Sequence, residues 1–214
     1  MASKFDGITE NSKFKAGPTE ILAKRSIMVA AASLDPLGVS PTGVIPKGTP
    51  MGAIPASGFY KPIRRTIADH ACTTGEKEIG CIETTMFAVG DVVTVVPAAT
   101  PTVAASALGT IDTIQAGVGI TLVGNSTTAV TAGDIIQVAE NDRQTDACIL
   151  IEDVDLRNGE GTAVDTPAVG MTMGQIAKAV LNFNCATAKG ISITRLAFEI
   201  PLVDFVNAVA GVVE

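Results

Sequence analysis

The single histidine of the chain lies in the sequence His70-Ala-Cys72, and Cys81 follows in the same stretch. An imidazole and two thiolates at this spacing could supply three zinc ligands across a hairpin, but a structural zinc takes a fourth ligand and usually has a Cys-x-x-Cys turn. A disulfide between Cys72 and Cys81 is a second alternative. We expect instead that all four cysteines are free, partly buried thiols, because cytoplasmic thiols are kept reduced. The sequence therefore predicts neither a metal nor a cofactor.

Two further segments could carry chemistry. Glu152, Asp153 and Asp155 could offer oxygen ligands to Ca²⁺, but alternation along a strand places Glu152 on the opposite face and favours a solvated strand end. The glycine-rich segment 117–124 lacks both the Gly-x-Gly-x-x-Gly pattern and the lysine of a P-loop, and is typical of a hairpin. No serine occupies a Gly-x-Ser-x-Gly elbow. We expect a protein that is not an enzyme, with a small hydrolase as the alternative.

The densest basic cluster is Lys61, Arg64 and Arg65, next to Tyr60. Such a group could bind a phosphate, contact an acidic protein surface, or simply end a strand with charge. The whole chain carries a formal charge of −7 with a pI near 4.7. Nucleic-acid binding depends on clustered Lys and Arg that release counterions from the phosphates. The acidic net charge therefore argues against a nucleic-acid partner.

The elements that must position these residues are mostly strands. The chain is rich in Val, Ile, Ala and Thr, with 21 Gly, 11 Pro and no Trp, which favours short strands joined by turns. We predict a strand within 21–33 followed by a loop, a turn entering a strand at 47–54, and another strand at 59–62. The helical spacing of Ile176, Val180 and Leu181 predicts a short helix over 173–181. Residues 202–213 are predicted to form a final helix or strand.

The middle of the chain contains two similar Gly-Asp segments. Gly90-Asp91 and Gly133-Asp134 each precede a run of small apolar residues, which predicts a turn followed by a buried strand. Between them, residues 110–114 and 119–123 alternate polar and apolar residues as half-buried strands do. A five- or six-stranded barrel or sandwich would close these strands without exposed edges.

The two ends of the chain differ in character. Residues 1–17 place Phe5 and Phe14 among Lys4, Lys13 and Lys15, which predicts an arm without a core of its own or a frayed terminus. No apolar leader is visible, so we expect synthesis and use in a cytoplasm. The apolar run near the C-terminus contains charged residues and a proline that a membrane-spanning helix tolerates badly, so we expect no membrane partner.

Three segments carry a family resemblance: 48–54, 58–63 and Cys148-Ile-Leu-Ile-Glu-Asp-Val-Asp155. In this order they resemble the head decoration (cement) proteins of tailed bacteriophages, the lambda protein D type. The positions that match this family signature are the following: Gly48, Tyr60, Lys61, Pro62, Leu150, Glu152, Asp153 and Asp155. The resemblance covers about half the chain, since it breaks off near Arg65 and resumes near 145.

The resemblance implies a mainly β (α+β) fold: a D-like core from 18–65 and 145–214 with one or two short helices, an inserted β domain at 66–144 and the arm at 1–17. It also implies a virion protein that binds the exterior of the expanded capsid. The expected partners are the major capsid protein and two further copies in a homotrimer. The expected capsid contacts are these: Phe5, Lys13, Phe14, Lys15, Arg64 and Arg65. The alternative is a fibre or adhesin module that binds host-surface glycans.

Overall fold

The computed structural model describes residues 20–31, 43–54, 56–139, 147–177, 181, 195, 197 and 199–206. This part of the chain is mainly β, as the sequence predicts. Its strands are β1 (Glu20–Val29), β2 (Val44–Ile45), β3 (Pro50–Ala53), β4 (Tyr60–Pro62), β5 (Arg65–Ile67), β6 (Glu78–Gly80), β7 (Val92–Val96), β8 (Ser106–Gln115), β9 (Gly119–Leu122), β10 (Ile135–Val138), β11 (Cys148–Leu150), β12 (Val154–Asp155), β13 (Thr166–Ala177) and β14 (Val203–Val206). The predicted strands within 21–33, at 47–54 and at 59–62 are confirmed as β1, β3 and β4.

The predicted helix over 173–181 is wrong for residues 173–177, which belong to the long strand β13. Pairing with other segments decides their conformation: β13 pairs antiparallel with β1 as far as Gln175, and its last residues pair in parallel with β14. Gly174 adopts a φ of 140°, far from helical values. Helical residues in the described part are Arg195, Ala197 and Glu199, just before β14.

The first sheet takes its strands from both ends of the chain. Its order is β1-β4-β3-β11-β13-β14, and β1 pairs with β13 as well. The antiparallel β1–β13 ladder runs from Glu20 opposite Gln175 to Val29 opposite Thr166, with two register shifts near Ala23. A separate two-stranded sheet joins β12 to β2.

Both faces of the first sheet are covered by apolar side chains. Cys148 and Leu150 point into one cluster and Ile149, between them, points into another, as alternation along a strand requires. The first cluster contains these residues: Ile27, Val29, Ile45, Met51, Ala53, Tyr60, Cys148, Leu150, Val154, Leu156 and Ala168. The second contains Ala147, Ile149, Met171, Ile176, Leu181, Ile200 and Val203. The second cluster packs Leu181 and Ile200 against this sheet.

The second sheet is built from strands that lie between Arg65 and Val138. Its order is β5-β10-β7-β8-β9-β6, and its own apolar cluster fills the interior. The segments after β5 and β6 are also bonded: the Ile82 amide donates to the Ile67 carbonyl and the Asp69 amide to the Gly80 carbonyl, both at 3.0 Å. These bonds join the two outer strands, so the sheet curls back on itself. The predicted strands at 110–114 and 119–123 are confirmed within β8 and β9.

The two Gly-Asp segments adopt the same local structure. Asp91 accepts the Ala88 amide at 2.7 Å and Asp134 accepts the Thr131 amide at 2.8 Å, each through its carboxylate. Gly90 and Gly133 have φ of 92° and 94°, a backbone conformation that residues with a side chain rarely adopt, so a glycine suits both turns. The strands that follow, β7 and β10, are the predicted ones, and they pair antiparallel with each other.

The division of strands between sheets follows the chain. The described strands of the first sheet lie before residue 63 or after residue 147, and those of the second lie between them. The inserted domain at 66–144 and the discontinuous core at 18–65 and 145–214 stay predictions.

Candidate functional site

The three segments that carry the family resemblance are neighbours in the first sheet. Strand β3 lies between β4 and β11, with Met51 opposite Pro62 on one side and opposite Cys148 on the other. The Ile63 amide extends the β3–β4 pairing by donating to the Pro50 carbonyl at 2.9 Å. Two segments that closely follow each other and a third from much later in the chain therefore form three neighbouring strands.

The turn before β3 is bonded directly to the end of β11. The Gly48 amide donates to the Leu150 carbonyl at 2.8 Å, and the Leu150 amide donates to the Thr49 carbonyl at 3.0 Å. Gly48 has a φ of 79°, a left-handed conformation that favours glycine. Its place in the signature therefore has a conformational reason.

Each acidic signature residue accepts a hydrogen bond from a backbone amide. Asp153 accepts from the Lys47 amide at 2.7 Å, Glu152 from the Val169 amide at 3.0 Å and Asp155 from the Arg157 amide at 2.9 Å. The chain bends at 151–152 between β11 and β12, so these side chains do not alternate along one strand as the sequence analysis assumes. Within the described residues, no group of His, Cys, Asp and Glu is placed to hold a metal ion.

Tyr60 of the signature is buried rather than available as an exposed ring. Its side chain is only 5% exposed, and its hydroxyl accepts a hydrogen bond from Arg25 Nη1 at 2.8 Å. Lys61 is half-buried and lies opposite Gly52 in the β3–β4 pair. Pro62 ends the strand opposite Met51. These residues build the sheet.

Arg64 is buried against the second sheet. Its guanidinium binds the Asp91 carboxylate through two bonds, Nη1 to Oδ2 at 2.8 Å and Nη2 to Oδ1 at 3.0 Å. Nη1 also donates to the Met86 carbonyl at 3.3 Å. A two-bond pair of this kind fixes both partners. Asp91 therefore both closes its own turn and binds the segment between β4 and β5.

Arg65 is the first residue of a buried charge cluster that joins β5 to the helical residues near the C-terminus. Its Nη2 donates to Glu199 Oε1, and its Nε donates to Gln137 Oε1 at 2.8 Å. Arg195 Nε donates to the same Glu199 oxygen at 3.0 Å. The ion-paired side chains are at most 2% exposed. We call Arg65, Gln137, Arg195 and Glu199 the buried charge cluster.

Arg195 extends this cluster to the loop after β7. Its Nη1 donates to the carbonyl oxygens of Pro101 at 3.0 Å and Val103 at 2.5 Å. The cluster therefore holds the helical residues, two strands of the second sheet and this loop together. Glu199 and Arg195 have the spacing of an ion pair on one helix face, and that spacing is the sequence signal that could have indicated them.

The predicted basic contact surface at Arg64 and Arg65 is wrong as a surface, because both residues are 4% exposed. Charges are buried only when paired, and here the partners Asp91 and Glu199 come from distant parts of the sequence. The other predicted contacts, Phe5, Lys13, Phe14 and Lys15, lie outside the described residues. The signature residues, in contrast, lie together.

The segment around His70 places its two cysteines in the core and its histidine at the surface. His70 is exposed, with Nδ1 3.9 Å from the Asp69 carboxylate, while Cys72 and Cys81 are buried free thiols. Burial raises the pKa of Cys81 to about 12, and it also raises the pKa of Cys72, to which the nearby Glu76 carboxylate contributes. A thiol is nucleophilic only as its thiolate. Both cysteines are therefore in the thiol form near neutral pH.

Cys148 is the third free cysteine of the described residues, and burial raises its pKa to about 12. It packs against Gly170 of β13, where an added Cβ would overlap its Sγ and lie 2.9 Å from its Cβ. The glycine therefore makes room for the thiol, which is part of the core.

Comparison with protein-family models, curated proteins and solved structures finds no match for this chain. No described helix is long and apolar enough to cross a membrane. A function for this chain must therefore be inferred from the sequence signature and from the geometry of the residues that carry it.

Proposed function

We propose that this chain is a structural virion protein that binds the outer surface of an expanded bacteriophage capsid and stabilises it. The observation that carries the proposal is the assembly of the three signature segments as neighbouring strands β4, β3 and β11. Short motifs that match by chance have no reason to meet in one sheet. Gly48, Leu150 and Asp153 also make specific backbone bonds there, so the signature describes one structural unit.

The chemistry of the described residues supports a binding role over catalysis. The cysteine thiols have raised pKa values, and Nδ1 of the exposed His70 lies 3.9 Å from the Asp69 carboxylate. The acidic signature residues hold backbone amides of the turns around them. Side chains of these kinds maintain a shape that a partner can recognise, and we propose no reaction for them.

Attachment would act through several contacts at once. We propose a homotrimer in which each subunit touches the major capsid protein, with the 1–17 arm supplying Phe5, Lys13, Phe14 and Lys15. Multivalent binding turns modest single contacts into tight attachment. A protein that binds only the expanded lattice stabilises that lattice by mass action. The buried Arg64 and Arg65 are not among the proposed contacts.

Co-sedimentation tests the proposal. The purified chain is mixed with decoration-stripped expanded shells and, separately, with unexpanded procapsids of the phage that encodes it. We expect saturable binding to expanded shells only, near one copy per capsid subunit. A variant that lacks residues 1–17 should bind more weakly. Absence of binding by the full chain to either particle would refute the proposal.

A further inference from the structure

Two atoms of the buried charge cluster have no hydrogen-bond partner among the described residues. They are Arg65 Nη1, a donor, and Glu199 Oε2, an acceptor. The two side chains are 2% and 1% exposed, so bulk solvent does not supply the missing bonds. Folded proteins leave few buried polar atoms unpaired, because such an atom loses its bonds to water and gains none in return. The pair therefore indicates a binding site inside the cluster.

The remaining polar atoms of these two side chains are already bonded. Arg65 donates through Nε to Gln137 Oε1 at 2.8 Å and through Nη2 to Glu199 Oε1. The same carboxylate oxygen accepts from Arg195 Nε at 3.0 Å. Both arginines therefore donate to one oxygen of the carboxylate. This arrangement leaves a donor on one side of the Arg65–Glu199 ion pair and an acceptor on the other.

One small molecule can reach both atoms. In arginine, Nη1 is joined to Nη2 through a single carbon, and in glutamate Oε2 is joined to Oε1 through a single carbon. Arg65 Nη2 and Glu199 Oε1 are bonded to each other. The two unpartnered atoms are thus each one carbon away from the same hydrogen bond. That separation is on the order of two hydrogen-bond lengths, the span of a bridging water molecule.

The charges of the two atoms define the chemistry of the ligand. A guanidinium nitrogen only donates, and an ionised carboxylate oxygen only accepts. An anion would be attracted to Arg65 but repelled by Glu199, and a metal ion would meet the opposite pair of forces. A neutral molecule that accepts one hydrogen bond and donates another satisfies both atoms. Water is the smallest molecule of this kind, and buried waters in proteins typically bind polar groups that are otherwise unsatisfied.

We propose that one buried water molecule completes the buried charge cluster, accepting a hydrogen bond from Arg65 Nη1 and donating one to Glu199 Oε2. This site is independent of any role at a capsid. The water would join β5 to the helical residues before β14 in addition to the direct ion pair. Since both of its partners are buried, it exchanges with solvent only when Glu199 and Arg65 separate. Its residence time therefore measures how often this contact opens.

A high-resolution crystal structure of the full chain tests the position of the water. We expect density for a water molecule within hydrogen-bond distance of both Arg65 Nη1 and Glu199 Oε2. A direct bond between these two atoms, with no water between them, would overturn the inference, because the ion pair would then satisfy itself.

Nuclear magnetic resonance of the unchanged protein in solution tests how long the water stays. With arginine labelled with ¹⁵N, rotating-frame cross-relaxation between water and the guanidinium protons separates a bound water from proton exchange by the sign of the cross-peak. We expect a bound-water cross-peak at Arg65. Arg64 is the internal reference, because it is equally buried, at 4% exposed, and donates to both oxygens of the Asp91 carboxylate. Absence of the cross-peak at Arg65, or equal cross-peaks at both arginines, would contradict a water site specific to the buried charge cluster.

Discussion

Removal of the Glu199 carboxylate should be among the most destabilising single changes in this protein. Glu199 Oε1 accepts bonds from both Arg65 and Arg195, and the ion-paired side chains are at most 2% exposed. Glu199→Ala would remove the carboxylate that these two buried guanidinium groups share. Each charge-assisted bond contributes about 1.5–3 kcal/mol, and breaking a buried pair by removing one partner costs about 3–5 kcal/mol. We expect the free energy of unfolding to fall by about 4 kcal/mol.

The assay is urea denaturation followed by far-UV circular dichroism, because the chain has no Trp to report on unfolding by fluorescence. Glu160→Ala, at an exposed turn position, is the matched control and should change the free energy of unfolding by no more than about 0.5 kcal/mol. Glu199→Gln keeps one acceptor oxygen but no charge. Its loss in free energy of unfolding should therefore lie between the losses of Glu199→Ala and Glu160→Ala. A loss below about 1 kcal/mol for Glu199→Ala would refute the reasoning, since the cluster would then contribute no more than a surface pair.

The two Gly-Asp turns and the two buried cysteines, Cys81 and Cys148, each allow a further test. Asp91→Ala should cost more stability than Asp134→Ala, about 3 against about 2 kcal/mol. Each carboxylate accepts an amide of its own turn and Asp134 also accepts the Ala98 amide at 2.9 Å, but only Asp91 binds the charge of the buried Arg64. Equal losses in urea denaturation would contradict this. The folded-state pKa values of Cys81 and Cys148, raised from 9.0 to about 12, mean that their stabilising effect is complete below about pH 9 and is lost as pH rises toward 12. Each thiol should therefore lower the free energy of unfolding by about 1.4 kcal/mol per pH unit in that window. Cys148→Ala should reduce this slope, and an unchanged slope would show that other groups cause it.

The sequence predicts a strand well where residues next to it in the chain determine where the strand begins. The Gly-Asp turns before β7 and β10 depend on a glycine that tolerates positive φ and on an aspartate that accepts a nearby amide, and both are visible in the sequence. The pairing of these two strands with each other was not predicted, because register depends on contacts between distant segments.

Two of the wrong predictions share a physical cause. The helical spacing over 173–181 is a weak preference, and the two-sided pairing of β13 overrides it. The Arg64-Arg65 pair has the composition of a surface patch, and only the carboxylates of Asp91 and Glu199 make its burial favourable. Neither partner can be assigned without the three-dimensional structure, although the Arg195–Glu199 spacing was visible on its own.

The β1–β13 ladder has a consequence for the time course of biosynthesis. Strand β1 is complete at Val29, but its partner begins only at Thr166. At about 5–20 residues per second, a ribosome needs roughly 7 to 30 s to add the intervening stretch. The strands of the second sheet, in contrast, have all been synthesised once Val138 is added. The nascent chain therefore contains every strand of the second sheet while β1 still lacks its partner, and chaperones that bind unpaired strands have that interval in which to act.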